Sequence, residues 1–192
     1  PPVAIPAAGS SKPRLVGPAL SISTAPDGVH ADAEMEDGGR SWLNRVTLPG
    51  PWQPQPLWPG EKQNQENGVV SPDGRQLAYL SLTAGQYDVS VSPLTPESRP
   101  KALSRFGADS PFWSRAGDRL YFVNGDTVLV APMRDGIAMD ARPAFLTSSL
   151  GQGLSVDVAA APSGHFYVTR SVPDDPLRGI LFVEHWNQDL PR

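Results

Sequence analysis

The sequence contains no cysteine. That excludes disulfides, thiolate metal sites and a cysteine nucleophile, and leaves the redox compartment open. No apolar run approaches the roughly 18 residues of a membrane-spanning helix, and no basic-then-apolar leader segment is present, so direct membrane insertion is not expected. Charge of one sign is not in excess either: 16 basic residues face 20 acidic ones, a formal net charge of −4. So mild a balance points to neither nucleic acid nor an anionic membrane surface as a partner. Histidine is scarce, and His30, His165 and His185 form no HxxxH or HExxH pairing. The GxSxG elbow of a serine hydrolase is missing. Gly151-Gln152-Gly153 lacks the remaining glycine and the helix of a dinucleotide fingerprint, and the signature loops of a protein kinase are absent. These absences predict no catalytic residue, no metal and no cofactor, and therefore a chain that is not an enzyme.

What the sequence has in plenty is turn chemistry. Its 22 prolines and 18 glycines make up about a fifth of the chain, which is high for a helical domain and suits many turns between short strands. The clearest stretch is Ser71-Pro72-Asp73-Gly74, followed at once by the apolar run Leu77-Ala78-Tyr79-Leu80. Pro72 presets the backbone of a turn, Asp73 can accept a hydrogen bond from the backbone two residues on, and Gly74 tolerates positive φ. A second copy, Ser114-Arg115-Ala116-Gly117 before Leu120-Tyr121-Phe122, follows 43 residues later. Ala25-Pro26-Asp27-Gly28 lies 46 residues before Ser71, and a weaker copy, Ala161-Pro162-Ser163-Gly164, lies 47 residues after Ser114. Recurrence at roughly 40–50 residues with several short strands per period is the pattern of β-propeller blades.

The spacing predicts an all-β β-propeller of about four blade-like, four-stranded antiparallel units, and the degenerate outer units suit an incomplete arc of a larger ring. Pro26, Asp27, Gly28, Pro72, Asp73, Gly74, Gly117, Pro162 and Gly164 are the structural repeat turns, and Tyr79, Trp113, Phe122 and Trp186 the inter-blade aromatics. Residues 1–12, rich in proline and alanine, read as a linker or frayed end, and residues 13–192 as the blades. Arg14-Leu15-Val16 reads as a spare outer strand, whereas the last unit, ending at Trp186, lacks one; pairing of the two would close a small ring. The chain opens on Pro1 instead of methionine and is expected to be a piece of a longer protein. In the first unit, Ala31, Ala33 and Met35 alternate with Asp32, Glu34 and Glu36, which predicts a half-exposed strand with one acidic face. Without the fixed spacing of a calcium loop, Asp32, Glu34, Glu36 and Asp37 read as a solvated face and not as a metal site.

From about Arg14 to Trp186 these repeats resemble the TolB-like, or PD40, family of WD40-like β-propellers. The resemblance rests on Ser71 to Tyr79, on Asp88-Val89-Ser90-Val91-Ser92-Pro93-Leu94, and on Pro111-Phe112-Trp113-Ser114 with Leu120-Tyr121-Phe122. The ending Val183-Glu184-His185-Trp186-Asn187-Gln188-Asp189-Leu190 is similar to the close of propellers that follow a serine/threonine kinase or winged-helix domain in bacterial signalling proteins. The resemblance implies a non-catalytic sensing or scaffold module that binds a protein, peptide or small ligand, with missing blades or a parent protein as further partners. It also implies a ring of six or more blades, of which this chain supplies an incomplete arc, and an extracytoplasmic setting on the periplasmic side. A second reading makes the chain the propeller gate of a prolyl-oligopeptidase-like serine hydrolase whose catalytic domain lies outside it.

Overall fold

The computed structural model describes residues 18–48, 51–59, 64–95, 98–105 and 107–145, together with the backbone of residue 146 and of short strands at 3–4, 14–15, 157–160, 166–169 and 180–183. Among the described residues the fold is all β, without a helix, and every strand pair is antiparallel. Strand β1 (Val3–Ala4) pairs with β2 (Arg14–Leu15). The first blade is β3 (Ser21–Thr24), β4 (His30–Asp37), β5 (Arg40–Thr47) and β6 (Gln55–Pro56), adjacent in that order. The second is β7 (Gln65–Val70), β8 (Gln76–Thr83), β9 (Gln86–Pro93) and β10 (Lys101–Ala102). The third is β11 (Asp109–Trp113), β12 (Arg119–Asn124) and β13 (Thr127–Arg134), with β14 (Ile137–Ala138) and β15 (Arg142–Leu146) both pairing β13. A last sheet holds β16 (Asp157–Ala160), β17 (Phe166–Thr169) and β18 (Ile180–Val183).

Each turn forms as its residues dictate. In the second blade Gly74 N–H donates to Ser71 O at 2.8 Å, Arg75 N–H donates to Asp73 Oδ1 at 3.1 Å, and Gln76 N–H donates to the Ser71 hydroxyl at 3.0 Å. Gly74 has φ +73°, where a Cβ is strained. The third blade repeats the device although proline and aspartate are lost. Ser114 still accepts from Gly117 and Arg119, and its hydroxyl donates to Asp118 at 2.7 Å. The turns also meet one another: the Cα of Gly74 faces Pro26, and that of Gly117 faces Pro72, so that an added Cβ would lie 3.5 Å from a proline ring carbon in each case. Proline and glycine therefore serve as an inter-blade contact as well as a local bend.

Among the described residues, two apolar layers join the first three blades. Leu43 and Trp58 of the first pack on Leu77 and Tyr79 of the second, with the Trp58 and Tyr79 rings stacked at 4.9 Å. Ala78, Leu80, Val89 and Val91 pack on Leu120, Phe122, Ala131 and Ala138 of the third. The period-two alternation of β8 sends Leu77 and Tyr79 one way and Ala78 and Leu80 the other, so one strand serves both layers. The prolines of residues 51–59 hold an extended connection that carries Trp58 into the first of these layers.

One feature differs from the sequence expectation. The face of β4 carrying Asp32 and Glu34 is not solvated: these residues are 2% and 6% exposed. Alternation correctly separates them from Ala31 and Ala33, but both faces of β4 are covered, one by Ile22, Leu48 and Trp52 and the other by the second blade. As an arc requires, Arg14–Leu15 does not close a ring with β18; its partner is Val3–Ala4, within residues 1–12. The chain is an arc of blade-like sheets, an incomplete propeller.

Candidate functional site

The innermost strands of a propeller line its central channel. Here β3, β7 and β11 together wall an open recess of about 390 Å³, within the usual range of small-molecule sites. Its lining is Ser21, Ile22 and Ser23 from the first blade, Asn67, Gly68 and Val69 from the second, and Ser110 and Pro111 from the third. Ser21, Asn67 and Ser110 each stand four residues ahead of the first residue of their blade's turn, Ala25, Ser71 and Ser114. The recess is thus built from one repeat position presented three times.

Backbone irregularity shapes that position. The register of β7 against β8 shifts between Glu66 and Val69, and that of β11 against β12 between Asp109 and Phe112. Asn67 and Ser110 sit in these bulges at φ 52° and 51°, a conformation uncommon for residues other than glycine. Such strain gathers where a side chain is re-aimed toward a site. The Asn67 side-chain amide and the Ser110 hydroxyl have no hydrogen-bond partner among the described residues.

Behind the lining lies a hydrogen-bond network between blades. Glu34 Oε2 accepts from the Ser21 hydroxyl and from Asn67 N–H, each at 2.9 Å. Val70 N–H donates to the Ser23 hydroxyl at 3.2 Å, and Trp113 Nε1 donates to Val69 O at 2.9 Å. Glu66 accepts from the Tyr87 hydroxyl, an interaction that, more than any other, raises the phenol above its ordinary value. On the neighbouring stretch of β4, burial raises the Asp32 carboxyl, while hydrogen bonds from Arg45 at 3.1 and 3.4 Å work the other way. Among the described residues no group of three acidic or histidine side chains is placed to hold a metal ion.

Of the residues expected from the sequence as turns or inter-blade aromatics, none of those described lines the recess. Pro26, Asp27, Gly28, Pro72, Asp73, Gly74 and Gly117 form the turns described above. The Asp27 carboxyl bonds the His30 ring at 2.6 Å and accepts from Val29 and His30 N–H, and the bond to the His30 ring contributes most to lowering its pKa. Tyr79 and Phe122 are buried between sheets, and Trp113 is half-buried. Pro162, Gly164 and Trp186 lie outside the described residues. The residues that do wall the recess were missed because serine and asparagine one to a blade carry no local spacing. Their common offset from the turns is the signal that finds them.

No protein-family model matches the sequence, and no curated protein does. Solved structures do match. A putative TolB from Agrobacterium tumefaciens is similar at 19% identity and a TM-score of 0.63, over 83% of this chain and 57% of that one. A gluconolactonase from Xanthomonas campestris is similar at 18% and 0.54, over 73% and 52%. A luciferin-regenerating enzyme is similar at 15% and 0.54, over 73% and 50%. The chain spans about half the length of these structures. The TolB-like propeller fold stands, whereas the narrower likeness to propellers attached to kinase or winged-helix domains draws no support from them, and most of the segment that suggested it, residues 184–190, lies outside the described residues.

The comparison corrects the functional expectation. A non-catalytic sensing or scaffold module and a gate for a separate hydrolase domain both put chemistry outside the propeller, and the sequence reading excluded an enzyme for want of a motif. Structures of the same fold named as a gluconolactonase and as a luciferin-regenerating enzyme overturn that inference. The physical reason is the architecture. A propeller assembles its axial site from single side chains some 40 residues apart, so no short motif need mark it.

Proposed function

We propose that the recess at β3, β7 and β11 is the axial site of a TolB-like propeller and binds a small, neutral, hydroxyl-rich molecule of the sugar-lactone type. One observation carries this reading: the three blades present uncharged hydrogen-bonding groups at one repeat position, and two of these groups are uncommitted within the described residues. Convergent polar groups in a concave recess fix orientation and specificity, and uncharged ones suit an uncharged ligand. The named activity of the gluconolactonase-like neighbour supports the substrate class. In this reading residues 13–192 act as one arc, residues 1–12 precede it, and further blades complete the wall of the channel. The likeness to a TolB structure favours an extracytoplasmic setting.

The experiment is a titration of the chain with glucono-1,5-lactone, read by ligand-observed NMR at early times, beside an assay for ring opening above the spontaneous rate. Binding that weakens about tenfold in both Asn67→Ala and Ser110→Ala is expected, as loss of a hydrogen bond to a bound ligand predicts. No binding at millimolar lactone, or binding indifferent to both substitutions, overturns the reading.

A further inference from the structure

Resting on that reading, we infer that Glu34 is a specificity-determining residue of the recess: its buried carboxylate fixes the hydrogen-bond polarity of the lining and rejects anionic ligands, so that a neutral polyol is held and the matching carboxylate is not.

Hydrogen-bond bookkeeping supplies the first half. A serine hydroxyl has one proton and two lone pairs. Ser21 donates its proton to Glu34 Oε2 at 2.9 Å and therefore offers the recess lone pairs alone. Ser23 already accepts from Val70 N–H and keeps its proton to give. An acceptor and a donor thus stand two residues apart on β3. A ligand hydroxyl both donates and accepts, so neighbouring hydroxyls match this pair. A carboxylate or phosphate oxygen has nothing to donate to Ser21.

Charge supplies the second half. Glu34 is 6% exposed, its charge lies one hydrogen bond behind the lining, and the same oxygen binds Asn67 N–H at 2.9 Å, which ties it to the second blade. Glu66 and Asp109 immediately precede the lining residues Asn67 and Ser110 on the other two inner strands, and among the described residues no lysine or arginine lines the recess. The guanidinium nearest in register, Arg45, is engaged with Asp32. An anion entering the recess therefore meets like charge without a counterion, and the poor solvation of a concave site strengthens the repulsion. For a lactone-opening enzyme the same device would expel the product, since ring opening turns a neutral ligand into a carboxylate.

The test uses two probes with one carbon skeleton, D-glucitol and D-gluconate, titrated into the chain at low ionic strength. Wild type is expected to bind glucitol at least about tenfold more tightly than gluconate. Glu34→Gln keeps an acceptor for Asn67 N–H but removes the charge, and should narrow that ratio several-fold, mainly by improving gluconate. Ser21→Ala leaves the carboxylate in place; it should weaken glucitol and leave gluconate rejected. Failure of wild type to bind glucitol sinks the axial-site reading itself. Glucitol binding with equal affinity for gluconate, or a Glu34→Gln ratio unchanged in protein whose β-sheet circular dichroism matches wild type, overturns the inference about Glu34 alone. If Glu34→Gln does not fold, the salt dependence of gluconate binding in wild type decides: screening should tighten gluconate and leave glucitol unmoved, and no change with salt overturns the inference.

Discussion

At the scale of single residues, the carboxylates sort by what surrounds them. Asp73 sits near the surface and accepts from the Ser71 hydroxyl at 2.5 Å and from Arg75 N–H at 3.1 Å; the Ser71 bond is the main cause that holds its carboxyl below the ordinary value. Asp32 is the opposite case, enclosed between blades and raised by burial. The signs follow from linkage. Asp73 binds a proton less readily folded than unfolded, so its contribution to stability is complete above the unfolded value of about 3.9 and is lost as pH falls through the lower folded value. Asp32 binds a proton more readily when folded, and its effect runs the other way, favouring the fold below the unfolded value and fading as pH rises through the folded one. Asp73→Asn keeps an oxygen for Arg75 but does not titrate. Its urea midpoint should fall less than that of wild type between about pH 5 and pH 3. Identical slopes for the two proteins over that window would show that the turn carboxylate has no part in acid sensitivity.

Elements show how blades are joined. Trp113 leaves β11 to donate Nε1–H to Val69 O of β7 at 2.9 Å, while Phe122 of β12 is fully buried in the apolar layer between the second and third blades. These two contacts rest on different physics, and substitution should separate them. Trp113→Phe retains most of the ring and removes the hydrogen bond, for a loss of about 1–2 kcal/mol. Phe122→Ala opens a cavity, for about 3–5 kcal/mol. Equal losses by chemical denaturation would mean that the inter-blade hydrogen bond is not what Trp113 supplies. The strands and their antiparallel sheets were legible in the sequence, because Pro-Asp-Gly chemistry and short apolar runs act locally. The burial of Asp32 and Glu34 was not. Alternation along β4 tells which residues share a face, but what covers that face comes from the next blade, Asn67 in particular, 33 residues past Glu34. The recess was illegible for the same reason at one remove, since each blade gives it a few small polar side chains of kinds that many strands carry.

At the scale of the whole molecule, an arc of repeats is stabilised mainly between neighbours, so each blade is as secure as the faces it has covered. The second blade is covered on both: Leu77 and Tyr79 meet the first blade, and Ala78, Leu80, Val89 and Val91 meet the third. Among the described residues the first blade meets another blade on one face; its other face, around Ala31, Ala33 and Val46, is packed with Ala19, Ile22, Leu48 and Trp52, and Leu20 and Val29 beside it are 62% and 44% exposed. The Trp52 indole N–H is buried there without a partner among the described residues, a cost the described part of the central blade does not carry. Local opening should therefore be graded along the chain. In native-state hydrogen exchange the amides of β8 and β9 should be the last to exchange, with protection approaching that set by global unfolding. Those of β4 and β5 should exchange sooner, through an opening of the first blade that leaves the second folded. Leu43→Ala, which thins the layer between the first two blades, should speed exchange in β4 and β5 far more than in β12 and β13. Uniform protection across the three blades, or a Leu43→Ala effect spread evenly over all of them, would mean that the arc unfolds as one cooperative body and that neighbour contacts do not set its stability.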